Sequence, residues 1–403
     1  MQKKLIAVAI AAITAAPAFA QSNVTIYGRA DLGFDSRSGS GGARTTNGTK
    51  SEFRDGVQGG SRIGFKGAED LGNGTKAIFE VEYGFALDQS NYNPNTGVAE
   101  ANFATTATWL NRHSYVGLTG DWGTAVGGRL DGIRYNIFLA ADQLGGGVGN
   151  WTSMTTQYDR ADNAIAYISP VFGGGFTLTL AHSTSTAGAE GAVGGTNGSI
   201  STAGVVTAAT GGKNTSDGHA AGGNKGDDVL NSIMLKYGNG PLTLWADYET
   251  TKQQDIGNST LKTWVLAGTY DFGVVKLGAL YDSLKADGCG NIGGATYGQT
   301  AGTLVCGAGY DRRDWLLSAK MPFAGKWNAK ATYGNLKNKI ASNADVKKFG
   351  LGLDYNFSKR TQIFTDYGRV SNGSAAAYGI TASPNSSTYY GVTGFDVGMS
   401  HTF

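Results

Sequence analysis

Segments of about ten residues that switch face at every position recur along this chain, and a period of two marks a strand whose two sides meet different surroundings. The clearest is Phe349, Leu351, Leu353, Tyr355 and Phe357, interleaved with Lys348, Gly350, Gly352, Asp354 and Asn356. One face is apolar and aromatic; the other is polar or bare. Trp264, Leu266, Gly268, Tyr270 and Phe272 repeat the pattern. So do Leu242, Leu244, Ala246 and Tyr248, and Trp327, Ala329, Ala331 and Tyr333. In a soluble sandwich the apolar face would be a core. Here Gly, Lys, Thr and Asp fill the other face, and aromatic residues gather near the strand ends, as in girdles at the two interfaces of a membrane.

Short turns fall near residues 70–74, 120–123, 170–175, 238–241, 271–273, 322–326 and 356–360. These hairpins supply fourteen strands. A first strand at 24–35 and a last at 389–403 raise the total to sixteen, and single-chain outer-membrane barrels have even strand numbers. The remaining connections, near 36–58, 88–107, 131–159, 183–227, 251–259, 285–311, 337–345 and 371–387, are long and rich in Gly, Ser, Thr and Asn. The expectation is an all-β fold: a sixteen-stranded antiparallel transmembrane barrel, with short turns on the periplasmic side and long extracellular loops. Closure is required physically, because a free sheet edge in hydrocarbon would leave backbone groups unpaired. The segments 164–169 and 361–367 alternate poorly and are placed as strands from their neighbours.

Residues 1–20 read as a signal peptide. Lys3 and Lys4 are followed by an apolar run from Leu5 to Ala15, and Ala18-Phe19-Ala20 has the small-x-small form of a cleavage site. Residues 21–403 then form the barrel domain. Taking Lys3 and Lys4 from 33 basic residues leaves 31 against 31 acidic ones, so the mature chain has no basic footprint for nucleic acid. No apolar run of ~18 residues follows, which excludes a spanning helix. The mean hydropathy of −0.20 cancels over two unlike faces. A chain with 64 Gly would read as a linker were it not for its 19 Tyr and 17 Phe.

Enzyme motifs are missing from the sequence. The histidines, His113, His182, His219 and His401, lie in separate segments without metal-ligand spacing, so no metal or cofactor is expected. There is no nucleophile elbow and no phosphate loop. The strings Gly145–Gly147 and Gly173–Gly175 read as loop and turn glycines. Cys289 and Cys306 share one Gly-rich loop of an exported chain, and a disulfide between them is expected. The low-complexity stretch 183–227 reads as a solvated outer loop, with an adhesive or phage-receptor loop as the other reading.

Several stretches together resemble the general porins of Gram-negative bacteria, particularly the β-proteobacterial type. They are VTIYGRADLGFD at 24–35, SRIGFKGAEDLGNGTKA at 61–77, NRHSYVGLTGDWGTAVGG at 111–128, LGLDYNFSKRTQIF at 351–364 and the terminal FDVGMSHTF. Phe403, in phase with His401, Met399, Val397 and Phe395, resembles the signal read by the outer-membrane assembly machinery. The resemblance implies a homotrimer in outer-membrane lipid, each pore narrowed by a third loop, 131–159, that folds inward. It implies an arginine ladder facing acids on that loop, with Arg62, Arg112 and Arg160 as the arginines and Asp142 as the acid. Enterobacterial porins carry a second acid four residues further on, where this chain has Gly146; that departure weakens any cation preference. The pattern itself places Arg62 in phase with Gly64 and Lys66, facing the lumen, and Arg29 and Asp31 in phase with Thr25 and Tyr27. An arginine facing lipid near the midplane would cost ~2–4 kcal/mol. Gly28, Ala30 and Gly33 offer small residues for trimer packing through the first and last strands.

The function implied is passive diffusion of ions and small hydrophilic solutes, with no catalysis. Arg62, Arg112 and Arg160 against Asp142 sum to +2, which Asp131 and Asp159 reduce, so a modest anion preference is expected. A substrate-selective channel would call for aromatics along the lumen, and these fall mainly on the outward phase. An exported adhesin or binding protein without a pore fits the terminal motif and the hairpin pattern less well.

Overall fold

The computed structural model describes residues 23–39, 49–88, 110–154, 159–186, 229–253, 259–286, 310–339, 342–374, 378–380 and 391–403, with four two-residue strand fragments between them. Cys289 and Cys306, His219, the leader and most of the 183–227 loop lie outside the described residues.

The wall runs β1 (Asn23–Ser38), β2 (Lys50–Asp55), β3 (Arg62–Gly72), β4 (Thr75–Gly84), β5 (Leu110–Gly120), β6 (Gly123–Asp131), β7 (Arg160–Ile168), β8 (Phe176–Ser183) and β9 (Val229–Asn239). It continues through β10 (Leu242–Gln253), β11 (Ser259–Asp271), β12 (Lys276–Ala286), β13 (Tyr310–Phe323), β14 (Trp327–Asn338), β15 (Val346–Asn356), β16 (Thr361–Asn372) and β17 (Thr393–Thr402). One helix, α1 (Ile133–Ala141), follows β6. From β3 onward each strand pairs antiparallel with the next, and β17 returns to β1 with Arg29 opposite Thr402 and Ser38 opposite Thr393. β2 and β3 both pair with β1, β2 along Leu32–Arg37 and β3 along Asn23–Arg29. They fill one place in the wall, so the barrel is sixteen-stranded and closed.

The chain ends complete the closure. The Gly28 N–H donates to the Phe403 carbonyl at 3.1 Å, and the Phe403 N–H donates back at 3.1 Å. The Phe403 ring covers Gly28, where a Cβ would sit 2.3 Å from it. Gly28 is therefore small for its own chain's last residue. Gly33 points inward against Val57. Of the three small residues expected at a trimer face, Ala30 alone has neither of these uses.

The outward phase is apolar as expected. Leu266, Leu351, Val397 and Met399 are each 43–49% exposed. The inward phase departs from a uniformly polar one. Val265, Leu280, Leu316 and Leu336 all point inward and are buried, because Ile137, Phe138, Ala141, Val148 and Trp151 of the segment after β6 lie on them.

Both poorly alternating segments are strands. In β7, Asn163 has φ 49° and the pairing with β6 slips between Gly128 and Leu130, so a bulge precedes Ala164, and the register is regular from there to Ile168. In β16, Phe364 points inward and is buried over Gly398, whose missing side chain makes the space.

Candidate pore constriction

Two opposed surfaces meet inside the barrel. One is the segment 132–154, lying flat on β10 to β17. The other is a wall of charged side chains from β1 and β3 to β7.

The segment is fastened along its length. Arg134 in α1 donates from Nε to Asp282 Oδ1 at 3.0 Å and from Nη2 to Asp282 Oδ2. Asp247, Glu249 and Asp314 stand nearby, with Arg312 paired to Asp314 at 2.9 Å. The Ser318 hydroxyl donates to the Ala141 carbonyl at 2.5 Å, and Lys330 Nζ donates to the Leu144 carbonyl at 3.2 Å. The Val148 N–H donates to Asp396 Oδ2 at 2.7 Å. Where the backbone touches the wall, the wall is glycine. A Cβ on Gly350 would lie 2.2 Å from the Gly149 oxygen, and one on Gly368 would lie 2.3 Å from the Val148 oxygen. Gly334 makes room for the Trp151 ring in the same way.

Residues 56–61, between β2 and β3, touch both surfaces. The Gly147 N–H donates to the Val57 carbonyl at 3.0 Å, and the Gln58 amide reaches Asp366. Gly59 and Gly60 lie against the guanidinium groups of Arg29 and Arg112. Arg62 donates to the Gly60 carbonyl at 3.2 Å. The Asp31 carboxylate, wholly buried, accepts the Gln58 N–H at 3.0 Å and pairs with Arg29 at 2.6 Å. The sequence pattern placed residues 56–58 at the end of a loop and missed the position of this stretch inside the barrel.

Arg62 and Arg112 share one acid. Glu82 lies 3.3 Å from Arg62 Nε and 2.5 Å from Arg112 Nε. Arg160 pairs with Asp131 at 3.1 Å, and Arg129 pairs with Asp162. Lys66 stands over the Tyr27 ring at 5.1 Å. A bulge shapes this wall. The pairing of β4 with β5 shifts between Val81 and Tyr83, so Arg112 and His113 together oppose Glu82. A bulge re-aims a side chain, and here two consecutive residues both reach the same carboxylate, His113 at 3.9 Å.

Asp142 does not stand among these arginines. It is 2% exposed, and its carboxylate accepts the Trp151 N–H at 2.5 Å and the Leu144 N–H at 3.1 Å. It folds the segment onto itself. Burial pushes its carboxyl above the ordinary range, against the pull of those N–H groups. Within 132–158 the sequence holds only two charged residues, Arg134 and Asp142, and both are buried. Asn136 and Gly145 are exposed, and Gln143 is half-buried. Between Asp131 and Asp159, which flank it beside Arg160, the loop therefore presents no exposed charge to the arginines, and Glu82 and Asp131 of their own wall pair with them.

Such a closed barrel, apolar outside, with a charged inner wall narrowed by an inward segment, defines a porin channel. The comparisons agree. The Gram-negative porin family matches the chain over residues 7–375. An outer membrane porin protein of Bordetella pertussis is 28% identical over 401 residues, covering 90% of this chain and 93% of that one. Outer membrane porin protein 32 of Delftia acidovorans is 28% identical over 427 residues and covers both chains fully. The solved anion-selective porin from Comamonas acidovorans superposes with a TM-score of 0.66 at 22% identity, covering 95% of this chain and all of that one. The chain belongs to the Gram-negative porin family and is an outer-membrane porin channel.

Proposed function

We propose that this porin passes ions and small hydrophilic solutes by diffusion with a modest anion preference, set by Arg62, Arg112 and Arg160. The observation that carries the reading is the uncharged loop surface opposite them. Three arginines less Glu82 and Asp131 leave a charge of +1, which Asp159 beside Arg160 reduces further. Glu82 takes the place in the sum that the sequence reading gave to Asp142, and Asp131 and Asp159 enter as they did there. Each charge acts on an ion through water, ~1 kcal/mol at 4 Å, so it biases permeability without closing the pore to cations. The anion-selective porin from Comamonas acidovorans supports the same direction. The test is the reversal potential across a planar bilayer under a KCl gradient. Arg62→Glu changes the local charge by two and should move it toward cations. The shift should shrink in 1 M salt, where the Debye length is ~3 Å. An unmoved potential would remove Arg62 from the constriction. Asp142→Asn should leave selectivity almost unchanged, since that carboxylate is covered.

The same reading includes a homotrimer packed through the outer faces of β1 and β17. Leu32, Phe395, Val397 and Met399 give that surface 39–49% exposed apolar side chains. Unboiled protein should migrate at about three times the monomer mass. Migration as a monomer in every mild detergent would defeat the assembly proposed here.

A further inference from the structure

We propose that His113 is a selectivity-determining residue whose proton sets the charge of the arginine wall. Both ring nitrogens face carboxylates. Nε2 lies 3.3 Å from Glu80 Oε1, and Nδ1 lies 3.2 Å from Asp131 Oδ2. A neutral imidazole has one N–H and one lone pair, so it can donate to only one of these acids. The imidazolium donates to both. The rest of the surroundings is also assigned. The Tyr27 hydroxyl, 3.4 Å from Nε2, donates to Glu80 at 2.6 Å, and the Tyr115 hydroxyl donates to the other Glu80 oxygen at 2.6 Å. Glu82 is held by Arg62 and Arg112, and Asp131 is shared with Arg160. Arg129 is turned to Asp162.

His113 thus closes a network with groups from β1, β4, β5 and β6, and Arg160 of β7 adjoins it through Asp131. Of these groups, histidine is the type whose unperturbed titration falls between pH 5 and 8. Protonated, it neutralises one of its acids and leaves the arginines the excess charge. Deprotonated, it leaves Glu80 and part of Asp131 to offset them. Anion preference should therefore fall as pH rises. The inference rests on the reading that this wall sets selectivity.

The experiment uses the full protein in planar bilayers. Reversal potential under a KCl gradient is measured from about pH 5.5 to 9, above ordinary carboxylates and below ordinary tyrosines. The wild-type chloride-to-potassium permeability ratio should fall about fivefold across that range, because one unit charge at ~8 Å in water changes each ion's Boltzmann weight roughly twofold and in opposite directions. His113→Gln, which keeps hydrogen-bonding atoms without a charge, should be flat near the alkaline value. His113→Lys, which keeps the charge, should be flat near the acid value and serves alone if the glutamine variant does not assemble. A flat wild type overturns the proposal, as does either variant that moves as the wild type does. Arg62→Glu is measured alongside. If it shifts the potential while the wild type ignores pH, the His113 inference alone fails. If neither responds, the reading of the wall itself has failed.

Discussion

Replacing Arg134 by alanine is expected to free α1 from the wall and raise the single-channel conductance, with fluctuations that the wild type lacks. Arg134 is 3% exposed and Asp282 is wholly buried, so water replaces neither partner. Removing one member of a buried pair costs ~3–5 kcal/mol, because the other charge is left uncompensated. Here the cost is compounded. Asp247, Glu249 and Asp314 act on the same site, and Arg312 would be left as their nearby cation. The Arg134 N–H also reaches Glu249 at 3.4 Å, so the helix start is tied to β10 and the side chain to β12. The barrel itself should survive, since its ladder of backbone pairs runs unbroken past this point. The loop should give way first. Conductance and heat-resistant migration of the same preparation test both halves. Neutralising the stranded acid in Arg134→Ala/Asp282→Asn should restore part of the wild-type behaviour. Unchanged conductance in the single variant would show that Arg134 does not hold the loop.

The wall was legible because its physics is local. Alternation along β11 or β15 assigns each side chain to lipid or lumen with no knowledge of the neighbouring strand. The turns announced themselves through Gly, Pro, Asn and Asp. Arg62 could be turned inward from its phase alone. Glu80 and Glu82 were just as readable. They stand two apart in the Phe79-Glu80-Val81-Glu82 alternation, and both face the lumen. The shared use of Glu82 by Arg62 and Arg112 was not readable. It depends on a bulge, and a bulge is a relation between two strands that neither sequence carries by itself. Asp142 failed for a similar reason. Its partners are N–H groups of its own loop, and their position follows from how that loop lies on a distant wall.

The infolded segment did leave a trace in the sequence. In a simple water-filled barrel the inward positions need no large aliphatic residues. Val265, Leu280, Leu316 and Leu336 occupy such positions on four strands, out of keeping with a solvated wall. Their phase told where something apolar must lie. It could not tell which of the long connections supplied it. The glycines at 350, 368 and 394 carried the complementary signal, a bare strip for a backbone rather than a socket for a side chain.

That strip gives the last prediction. Gly350 is directly opposite Gly368, and Gly368 is directly opposite Gly394, so three neighbouring strands present one glycine row to residues 147–149. A Cβ at Gly368 would meet the Val148 carbonyl oxygen at 2.3 Å and its carbon at 2.8 Å. These are backbone atoms, and no rotamer change can move them aside. On the far side Gly146 is already pressed against the Gln58 backbone, so the segment is clamped between wall and inset. Gly368→Leu must therefore push the segment toward the arginines and break the Val148 N–H bond to Asp396. Overpacking of this kind costs ~1–3 kcal/mol where neighbours can yield, and here they yield poorly. The expected result is a smaller single-channel conductance and a lower yield of heat-resistant protein. Tyr367→Leu, one residue away on the outward face and 36% exposed, is the control and should leave conductance unchanged. If Gly368→Leu also conducts like the wild type, the segment does not rest on this row. Conductance lost equally in both variants would point instead to damage in β16 itself.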